Sequence, residues 1–168
     1  MSLGFAGPEE DEEIGELLVR SFVETYAREM PEVVVGESRL RELRDVETIR
    51  RNATVLTWTA EGRVAAVCAV YPPGFVGGKA WLPHATELRF MAVHPDFQGQ
   101  GVASPLLESA LREAVGKQGA HTMCLHVRRG AHGVARFYAR HGFERDVRGD
   151  RDLLPEIYLE GFARQIGP

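Results

Sequence analysis

A glycine-rich turn between a predicted strand and a predicted helix is the feature of this sequence that points most directly to chemistry. An apolar strand pattern ends at Val93, a short turn with Pro95 and Asp96 follows, and an amphipathic helix then opens with Gln98, Gly99, Gln100, Gly101, Val102 and Ala103. A strand that leads into such a helix start directs several backbone N–H groups to one point, where the positive end of the helix dipole also lies. Small residues allow a phosphate to approach the backbone closely. The turn is therefore predicted to bind the pyrophosphate of a cofactor.

Other glycine patterns compete with this interpretation. The run Gly77-Gly78-Lys79-Ala80 lacks the hydroxyl, the spacing and the strand-to-helix context of a Walker loop. Gly99 and Gly101 match a dinucleotide-binding fingerprint only in part, because Ser104 stands where the third glycine belongs. A turn that merely reverses the chain is the structural alternative.

Hydrophobic spacing and breaker residues predict the elements that position this turn. In chain order they are a strand over 3–6, a helix ended by Pro31, a helix over 38–51, strands over 54–59 and 64–71 joined at Glu61-Gly62, a strand over 85–93, a helix over 101–115, a strand over 121–127, a helix over 134–140 and a closing antiparallel pair over 143–147 and 157–160. The order β-α-α-β-β-β-α-β-α-β-β predicts a mixed α/β sheet in a single domain over residues 1–168.

Composition excludes several classes of protein. The 168 residues are 44% hydrophobic and 26% charged, as in an ordinary globular domain, and the formal net charge is −4. Without a long Lys/Arg run, no nucleic-acid partner is expected. No apolar stretch approaches membrane-spanning length, and the acidic start gives no secretory signal, so no membrane is expected and the cytoplasm is the expected compartment. Cys68 and Cys124 lie in apolar strand patterns and are expected to be buried fillers, and no metal is expected.

Two blocks of the sequence resemble the GNAT (GCN5-related) N-acetyltransferase superfamily. Gln98-x-x-Gly101-x-Ala103 fits the signature Q/R-x-x-G-x-G/A, and the run 135–143, Ala-Arg-Phe-Tyr-Ala-Arg-His-Gly-Phe, resembles the "A-x-x-F-Y-x-x-x-G-F" region of that family. The blocks occur in the family's order over 87–143, about a third of the chain, and the resemblance implies the GNAT fold. The sequence departs from the family at Ala131, where an asparagine is common.

The resemblance implies acetyl-coenzyme A as the acyl donor. Backbone N–H groups from Gln98 to Ala103 would bind its pyrophosphate, and the main chain near Met91 and Val93 would hydrogen-bond its pantetheine arm as an added strand does.

The resemblance also implies two catalytic residues. Tyr138 stands where the family often has a tyrosine that protonates the departing thiolate, and the alternative is that it packs against the cofactor and positions it. Glu87 lies eleven residues before Gln98 on the central strand, where some family members carry a glutamate base. The alternative for Glu87 is an ion pair with Arg89 on the same strand face, since residues two apart on a strand share a face.

The acceptor site is less defined by the sequence. Trp81 and Phe75 are large apolar residues in a loop rich in Pro and Gly, and we expect them to line the acceptor entrance unless they fold back on the core. His126 alternates with apolar residues on its strand and could point into a cleft. The loop over 72–84 and the first two helices are expected to wall this site.

The sequence therefore predicts an N-acetyltransferase that moves an acetyl group from acetyl-coenzyme A to a primary amine by direct transfer in a ternary complex. The acceptor, a small-molecule amine or a peptide N-terminus, is not specified, and a homodimer is left open. One alternative is a GNAT-fold module that binds an acyl-coenzyme A as a sensor or structural part without efficient turnover. A nucleotide-binding protein is the other alternative interpretation.

Overall fold

The computed structural model describes residues 2–167 and shows one mixed sheet flanked by helices on both faces. Its elements are β1 (Ser2–Phe5), α1 (Asp11–Glu29), α2 (Glu37–Arg44), α3 (Val46–Asn52), β2 (Thr54–Ala60), β3 (Arg63–Tyr71), β4 (Ala85–Val93), α4 (Ala103–Gly116), β5 (Thr122–Arg128), α5 (His132–Arg140), β6 (Glu144–Arg145), β7 (Arg151–Leu153) and β8 (Ile157–Gln165), with short 3₁₀ turns at Pro8–Glu10, Pro95–Phe97 and Val147–Gly149. The mixed α/β sheet predicted from the sequence is confirmed.

Within residues 2–167 the strand order is β1-β2-β3-β4-β5-β8-β6, and β7 pairs with the other end of β8. All neighbouring strands run antiparallel except β4 and β5, which are parallel. The predicted turn between β2 and β3 has Glu61 and Gly62 at φ 54° and 72°, as a tight hairpin turn requires. The parallel pair lies in the middle of the sheet, and several of the predicted site residues lie on its two strands.

The two faces of the sheet carry separate cores. On one face, α4 buries Leu106, Leu107 and Ala110 in a cluster that also holds Leu88, Leu125 and Tyr138. On the other face, α1, α2 and α3 bury Ile14, Leu18, Leu43 and Ile49 against Tyr71 and Phe90. These apolar positions recur at helical spacing, so that each helix presents one stripe to the sheet.

Strand β4 carries a bulge near its carboxyl end. Val67 of β3 pairs with Ala92, but Ala69 pairs with Arg89, so Phe90 and Met91 together oppose Cys68. Phe90 has φ 58°, in the left-handed region that an aromatic residue seldom adopts. The extra residue turns Phe90 to the α1 face and Met91 to the α4 face. The strand direction therefore changes just before the glycine-rich turn.

Two predicted elements differ in the structure. The helix predicted over 38–51 is two helices, because Asp45 ends α2 and caps α3: its carboxylate accepts hydrogen bonds from the Thr48 backbone N–H (3.4 Å) and hydroxyl (2.8 Å). The closing pair predicted over 143–147 and 157–160 is a three-strand arrangement, in which β8 extends to Gln165 and pairs with β5, β6 and β7. Residues 1 and 168 of the predicted single domain lie outside the described part of the chain.

Candidate active site

A cleft opens where β4 and β5 separate. Their parallel pairing covers only Ala85–Glu87 against Thr122–Cys124, and beyond it β5 pairs with β8 alone. A cavity of about 610 Å³ occupies this region, and its walls include Leu88 and Met91 from β4, Leu125 and Val127 from β5, Tyr138 from α5, and Val33, Val34, Val35 and Gly36 from the segment between α1 and α2. The first two helices also contribute to the cavity wall through Phe22, Tyr26 and Arg39, and their place at an acceptor site stays a prediction. An extended ligand can therefore lie between the two strands and use the backbone groups that they no longer share.

The glycine-rich turn leaves the start of α4 open. Gly99 and Gly101 adopt φ of 77° and 76°, and a Cβ on either would meet no atom within 4 Å. No side chain caps the first N–H groups of α4, and its first turn contains no acidic residue. The amides of Gln98 and Gln100 brace the turn by donating to the carbonyl oxygens of Val93 (3.4 Å) and Asp96 (3.0 Å). The N-terminus of a 14-residue helix is thus available to an anion.

The turn and the cavity are adjacent but distinct. Met91 lines the cavity, whereas Val93 and residues 98–103 lie outside its walls. Strand β4 connects the two features, because it borders the cavity and then leads into the turn.

Tyr138 enters the cleft from α5. It is 6% exposed, it lines the cavity, and its ring makes an edge contact with Phe143 at 5.6 Å between ring centroids. Among residues 2–167 its hydroxyl has no hydrogen-bond partner. Burial raises the pKa of this hydroxyl well above its ordinary value. The group is therefore protonated at neutral pH and can donate to a ligand in the cleft.

Glu87 forms the ion pair with Arg89 that same-face placement allows. Its side chain is 5% exposed, and its Oε2 accepts from Arg89 Nε at 2.7 Å. Its Oε1 accepts from Arg89 Nη2 at 2.9 Å and from the Lys79 backbone N–H at 2.7 Å. A carboxylate offers about four lone-pair sites, so three bonds leave one for another donor. Glu87 lines the cavity and keeps one acceptor site on Oε2.

Arg89 is itself held in place. Its guanidinium lies 4.5 Å from the centroid of the Tyr71 ring and donates to the Gly77 carbonyl oxygen at 3.4 Å. The alternation along β4 contained the signal for its contact with Glu87, whereas its contacts with Tyr71 and Gly77 depend on how the following loop folds back.

His126 also lines the cavity. Its Nε2 donates to the Gly149 carbonyl oxygen at 2.8 Å, which assigns the proton to Nε2 and leaves the lone pair on Nδ1. Burial lowers the pKa of this imidazole below its ordinary value, and the charges of Arg151 and Arg89 contribute in the same direction. His126 is therefore neutral at pH 7 and has one nitrogen able to accept a proton.

Trp81 and Phe75 fold back on the protein. Trp81 Nε1 donates to Asp146 Oδ2 at 2.9 Å, its ring lies 5.2 Å from the His126 ring, and it packs on Gly149 so tightly that a Cβ there would meet the indole at 2.3 Å. Phe75 packs on Tyr71 at 5.0 Å between ring centroids. Neither residue lines the cavity. Their placement at the acceptor entrance stays a prediction, and the packing is that of the alternative, in which they cover the core.

The two cysteines do not form a catalytic or metal-binding site. Cys68 and Cys124 are buried and unpaired, and burial raises the pKa of the Cys68 thiol to about 12, so it is not a nucleophile. In the described part of the chain, no three His, Cys, Asp or Glu residues are arranged to hold a metal ion. Within residues 2–167, no helix combines the length and apolar character needed to cross a membrane.

Comparison with known proteins decides the family. The model of the Acetyltransferase (GNAT) family matches residues 12–143, which is most of the chain. This protein is a GNAT acetyltransferase family member. The resemblance drawn from the two sequence blocks is thereby confirmed, and it extends well beyond the 87–143 segment that carried it. No curated protein sequence matches the chain significantly.

Solved structures show the same GNAT fold. The PaiA N-acetyltransferase from Thermoplasma acidophilum in complex with coenzyme A is 18% identical over 98% of this chain and 99% of its own, with a TM-score of 0.72. The ribosomal-protein-S18-alanine N-acetyltransferase from Escherichia coli is 19% identical over 99% and 94%, with a TM-score of 0.68. A spermidine N-acetyltransferase from Vibrio cholerae is 12% identical over 98% and 95%, with a TM-score of 0.66. At these identities the likeness concerns the GNAT fold alone.

Proposed function

We propose that this GNAT protein is an N-acetyltransferase that moves an acetyl group from acetyl-coenzyme A to a primary amine by direct transfer in a ternary complex. The observation that carries the proposal is the cleft between β4 and β5, which contains Tyr138 and is connected through β4 to the turn that leads into the open N-terminus of α4. The three compared structures that share this fold are named as N-acetyltransferases, and one of them was solved with coenzyme A.

The residues present fit acetyl-coenzyme A. The backbone N–H groups from Gln98 to Ala103 would hold its pyrophosphate, because no side chain or acid competes for that position. The backbone of β4 near Met91 and Val93 would hydrogen-bond the pantetheine arm, since β5 has left this edge of the strand. When bound, acetyl-coenzyme A supplies the thioester that a free amine attacks.

Tyr138 is proposed to hold the proton that the leaving thiolate needs. Its hydroxyl is protonated at neutral pH and has no competing partner among the described residues, and the residue lines the cavity. A positioned donor of this kind is worth about 10²–10⁴ in rate.

Glu87 and His126 are proposed to share the deprotonation of the amine. Glu87 holds the ammonium through its remaining lone pair, because three donors already occupy the rest of the carboxylate. His126 is neutral and takes the amine proton on Nδ1, because its Nε2–H is bound to Gly149. The ammonium thus gives its first proton to the imidazole, the free amine forms the amide bond as the C–S bond of the thioester breaks, and the thiolate receives the proton of Tyr138. The second proton of the nitrogen then restores the Tyr138 hydroxyl, and the imidazolium returns its proton to solvent.

The test is a panel of amines in which coenzyme A thiol release is followed and the acetylated product is identified by mass. Amine-dependent release with matching product supports the proposal. The occupied carboxylate of Glu87 favours one other function, an acyl-coenzyme A sensor without turnover. Tight acetyl-coenzyme A binding with no amine-dependent release would support the sensor and contradict the enzyme.

A further inference from the structure

The charge of the cavity is opposite in sign to the charge of the chain. The formal net charge of the protein is −4, yet the cavity walls carry more cations than carboxylates. The charged residues that line it are Arg39, Lys79, Arg89, Arg128 and Arg151 against Glu42, Glu87 and Glu156. A wall of this kind attracts a negative group even though the protein as a whole repels one.

Pairing within the wall leaves specific cations free. Arg39 is paired with Glu42 at 2.8 Å and Arg89 with Glu87 at 2.7 Å. Within residues 2–167, Lys79 and Arg151 have no carboxylate within salt-bridge distance, and no hydrogen bond of either side chain occurs. Among the described wall residues, Lys79, Arg151 and Arg128 therefore lack a carboxylate partner, against one carboxylate, Glu156, that lacks a cation. Of these three cations, Arg128 is the one whose guanidinium is engaged, by the Glu156 carbonyl oxygen and the Tyr26 ring.

These two cations lie beside the reacting groups. The backbone N–H of Lys79 is bonded to Glu87, so Lys79 is anchored directly at the carboxylate proposed to hold the ammonium. Arg151 is close enough to His126 for its charge to act on that imidazole. The cavity wall thus has a basic residue beside each of the two residues proposed to handle the amine, Lys79 through its backbone bond to Glu87 and Arg151 through its charge at His126.

The pyrophosphate of the donor does not account for Lys79 and Arg151. Glu87 and Val93 are six positions apart on β4, up to about 20 Å along an extended strand, before the glycine-rich turn begins. Arg151 is on β7, three strands along the sheet from β4. A second ligand, the acceptor, is the molecule that can reach both.

We propose that the acceptor is a primary amine that also carries an anionic group, a carboxylate or a phosphate, which Lys79 and Arg151 bind. This inference rests on the proposed acetyltransferase function and names the substrate class of the same site. An ammonium alone would meet the unpaired cations with net repulsion, whereas a zwitterion satisfies them and leaves its nitrogen between Glu87 and His126.

The experiment compares matched amines at equal free-amine concentration. The pairs are ω-amino acids with their primary amides, aminoalkyl phosphates with the corresponding amino alcohols, and short peptides with Asp or Asn at the second position. The acidic member of at least one pair should have a kcat/KM about tenfold or more above that of its neutral partner, because each anion gains charge-assisted hydrogen bonds. The advantage should shrink at high ionic strength. The pair that shows the advantage identifies the bound anion as a carboxylate or a phosphate. It also tells whether the acceptor is a free amino acid or a peptide.

Two variants and a control locate the effect. Lys79→Gln and Arg151→Gln should each lower the ratio of acidic to neutral kcat/KM, and the double variant should bring it near one. Lys117→Gln removes the same charge from an exposed lysine outside the cavity and should leave the ratio unchanged. Equal use of acidic and neutral amines, or an unchanged ratio in the folded double variant, would overturn the inference while the acetyltransferase remains. Failure to release coenzyme A with any amine would instead contradict the proposed function.

Discussion

Tyr138 illustrates how burial keeps a phenol protonated and fixes its position. A phenol in water is already protonated at neutral pH, and burial among apolar residues of the α4 face raises its pKa further. The same burial holds the ring between Phe137 and Phe143, at 5.2 and 5.6 Å between centroids, so the hydroxyl position is fixed by packing. Packing and proton donation are therefore two properties of one residue, and a change that removes only oxygen separates them.

We expect Tyr138→Phe to lower kcat by about 10²-fold while leaving the dissociation constant of acetyl-coenzyme A near that of the native protein, because the ring stays and only the proton is lost. Steady-state kinetics with calorimetric titration of the cofactor provides the measurement. An unaltered kcat with weakened cofactor binding would identify Tyr138 as a packing residue only.

His126 provides a pH signature. Because burial lowers the pKa of its imidazole, kcat should hold its plateau to below about pH 6.5 and then fall as the ring is protonated. We expect His126→Gln to remove this acidic limb and to lower the plateau by about 10²-fold, whereas Glu87→Gln should keep the limb and raise the KM of the amine.

Measurement of kcat rather than kcat/KM excludes the titration of the free amine from this profile. Because Glu87→Gln leaves Arg89 without its carboxylate, the thermal stability of that variant must be checked alongside. A limb that persists in His126→Gln and disappears in Glu87→Gln would assign the proton to the carboxylate.

At the residue scale the sequence could predict which residues line the site and the contact of Glu87 with Arg89 on the same strand, but not the contacts made between elements. Tyr138, Glu87, Met91 and His126 do line one cavity, and strand alternation and the motif positions were enough to nominate them. Trp81 and Phe75 were nominated because they are large and apolar in a loop, yet they pack on Gly149 and Tyr71. The contact of Trp81 with Gly149 joins residues far apart in sequence, and a single sequence carries no local signal for it. Phe75 instead packs on a residue of the strand just before its own loop.

At the scale of the elements, the start of α4 can bind an anion because its first backbone N–H groups have no side-chain partner. A side-chain cap or an acidic residue would occupy the same N–H groups that a phosphate needs, and α4 has neither. The positive φ of Gly99 and Gly101 turns the chain so that these N–H groups converge. Glycine is required there for backbone conformation as well as for space.

We expect Gly101→Asp to weaken acetyl-coenzyme A binding by about 100-fold, since the added carboxylate would stand where the pyrophosphate binds and repel it. Calorimetry measures the effect. Gly119→Asp is a matched control, because Gly119 also has a positive φ (63°), its Cβ position is also open, and it lies beyond the far end of α4. Equal binding by the two folded variants would remove the turn from the cofactor site.

Local rules predicted most elements, and tertiary contacts decided the rest. The strand over 85–93 and the hairpin at Glu61-Gly62 are as predicted because period-two patterns and turn residues are local signals. The helix over 38–51 was predicted as continuous because its apolar spacing continues through Asp45, although that residue is also a favourable cap. The length of β8 depends on three partner strands, which no local pattern encodes.

At the scale of the whole molecule, the carboxyl-terminal strands complete both the sheet and the site. Strand β8 extends the sheet from β5, and the turn over Val147–Gly149 supplies the carbonyl that binds His126 and the surface that packs on Trp81. Asp150 fastens this region: its carboxylate accepts from Arg145, from the Tyr158 hydroxyl at 2.6 Å and from the Gly161 backbone N–H at 2.9 Å. Stability and the geometry of the site are therefore linked through one carboxylate.

The Asp150 carboxylate should give the protein a defined acid sensitivity. Its pKa is held far below the ordinary value by Arg145, with further donation from Tyr158 and Gly161, so its stabilisation is complete above the unfolded-state pKa of about 3.9 and is lost as the pH falls below it. We expect Asp150→Asn to lower the free energy of unfolding by about 2 kcal/mol at pH 7, because its hydrogen bonds are made to a charged group. The difference from the native protein should shrink by about 1 kcal/mol between pH 5 and pH 3, since each pH unit in that range changes the contribution of one such group by up to about 1.4 kcal/mol.

Urea unfolding at several pH values measures this difference, and comparison within one pH cancels the titration of all other carboxylates. Asp152→Asn, two residues further on in β7 and exposed, is the control; its carboxylate accepts the Leu154 backbone N–H at 3.2 Å and no arginine, so the loss of stability should be much smaller. A difference that is constant from pH 5 to pH 3 would mean that Asp150 stabilises the protein through its shape rather than its charge.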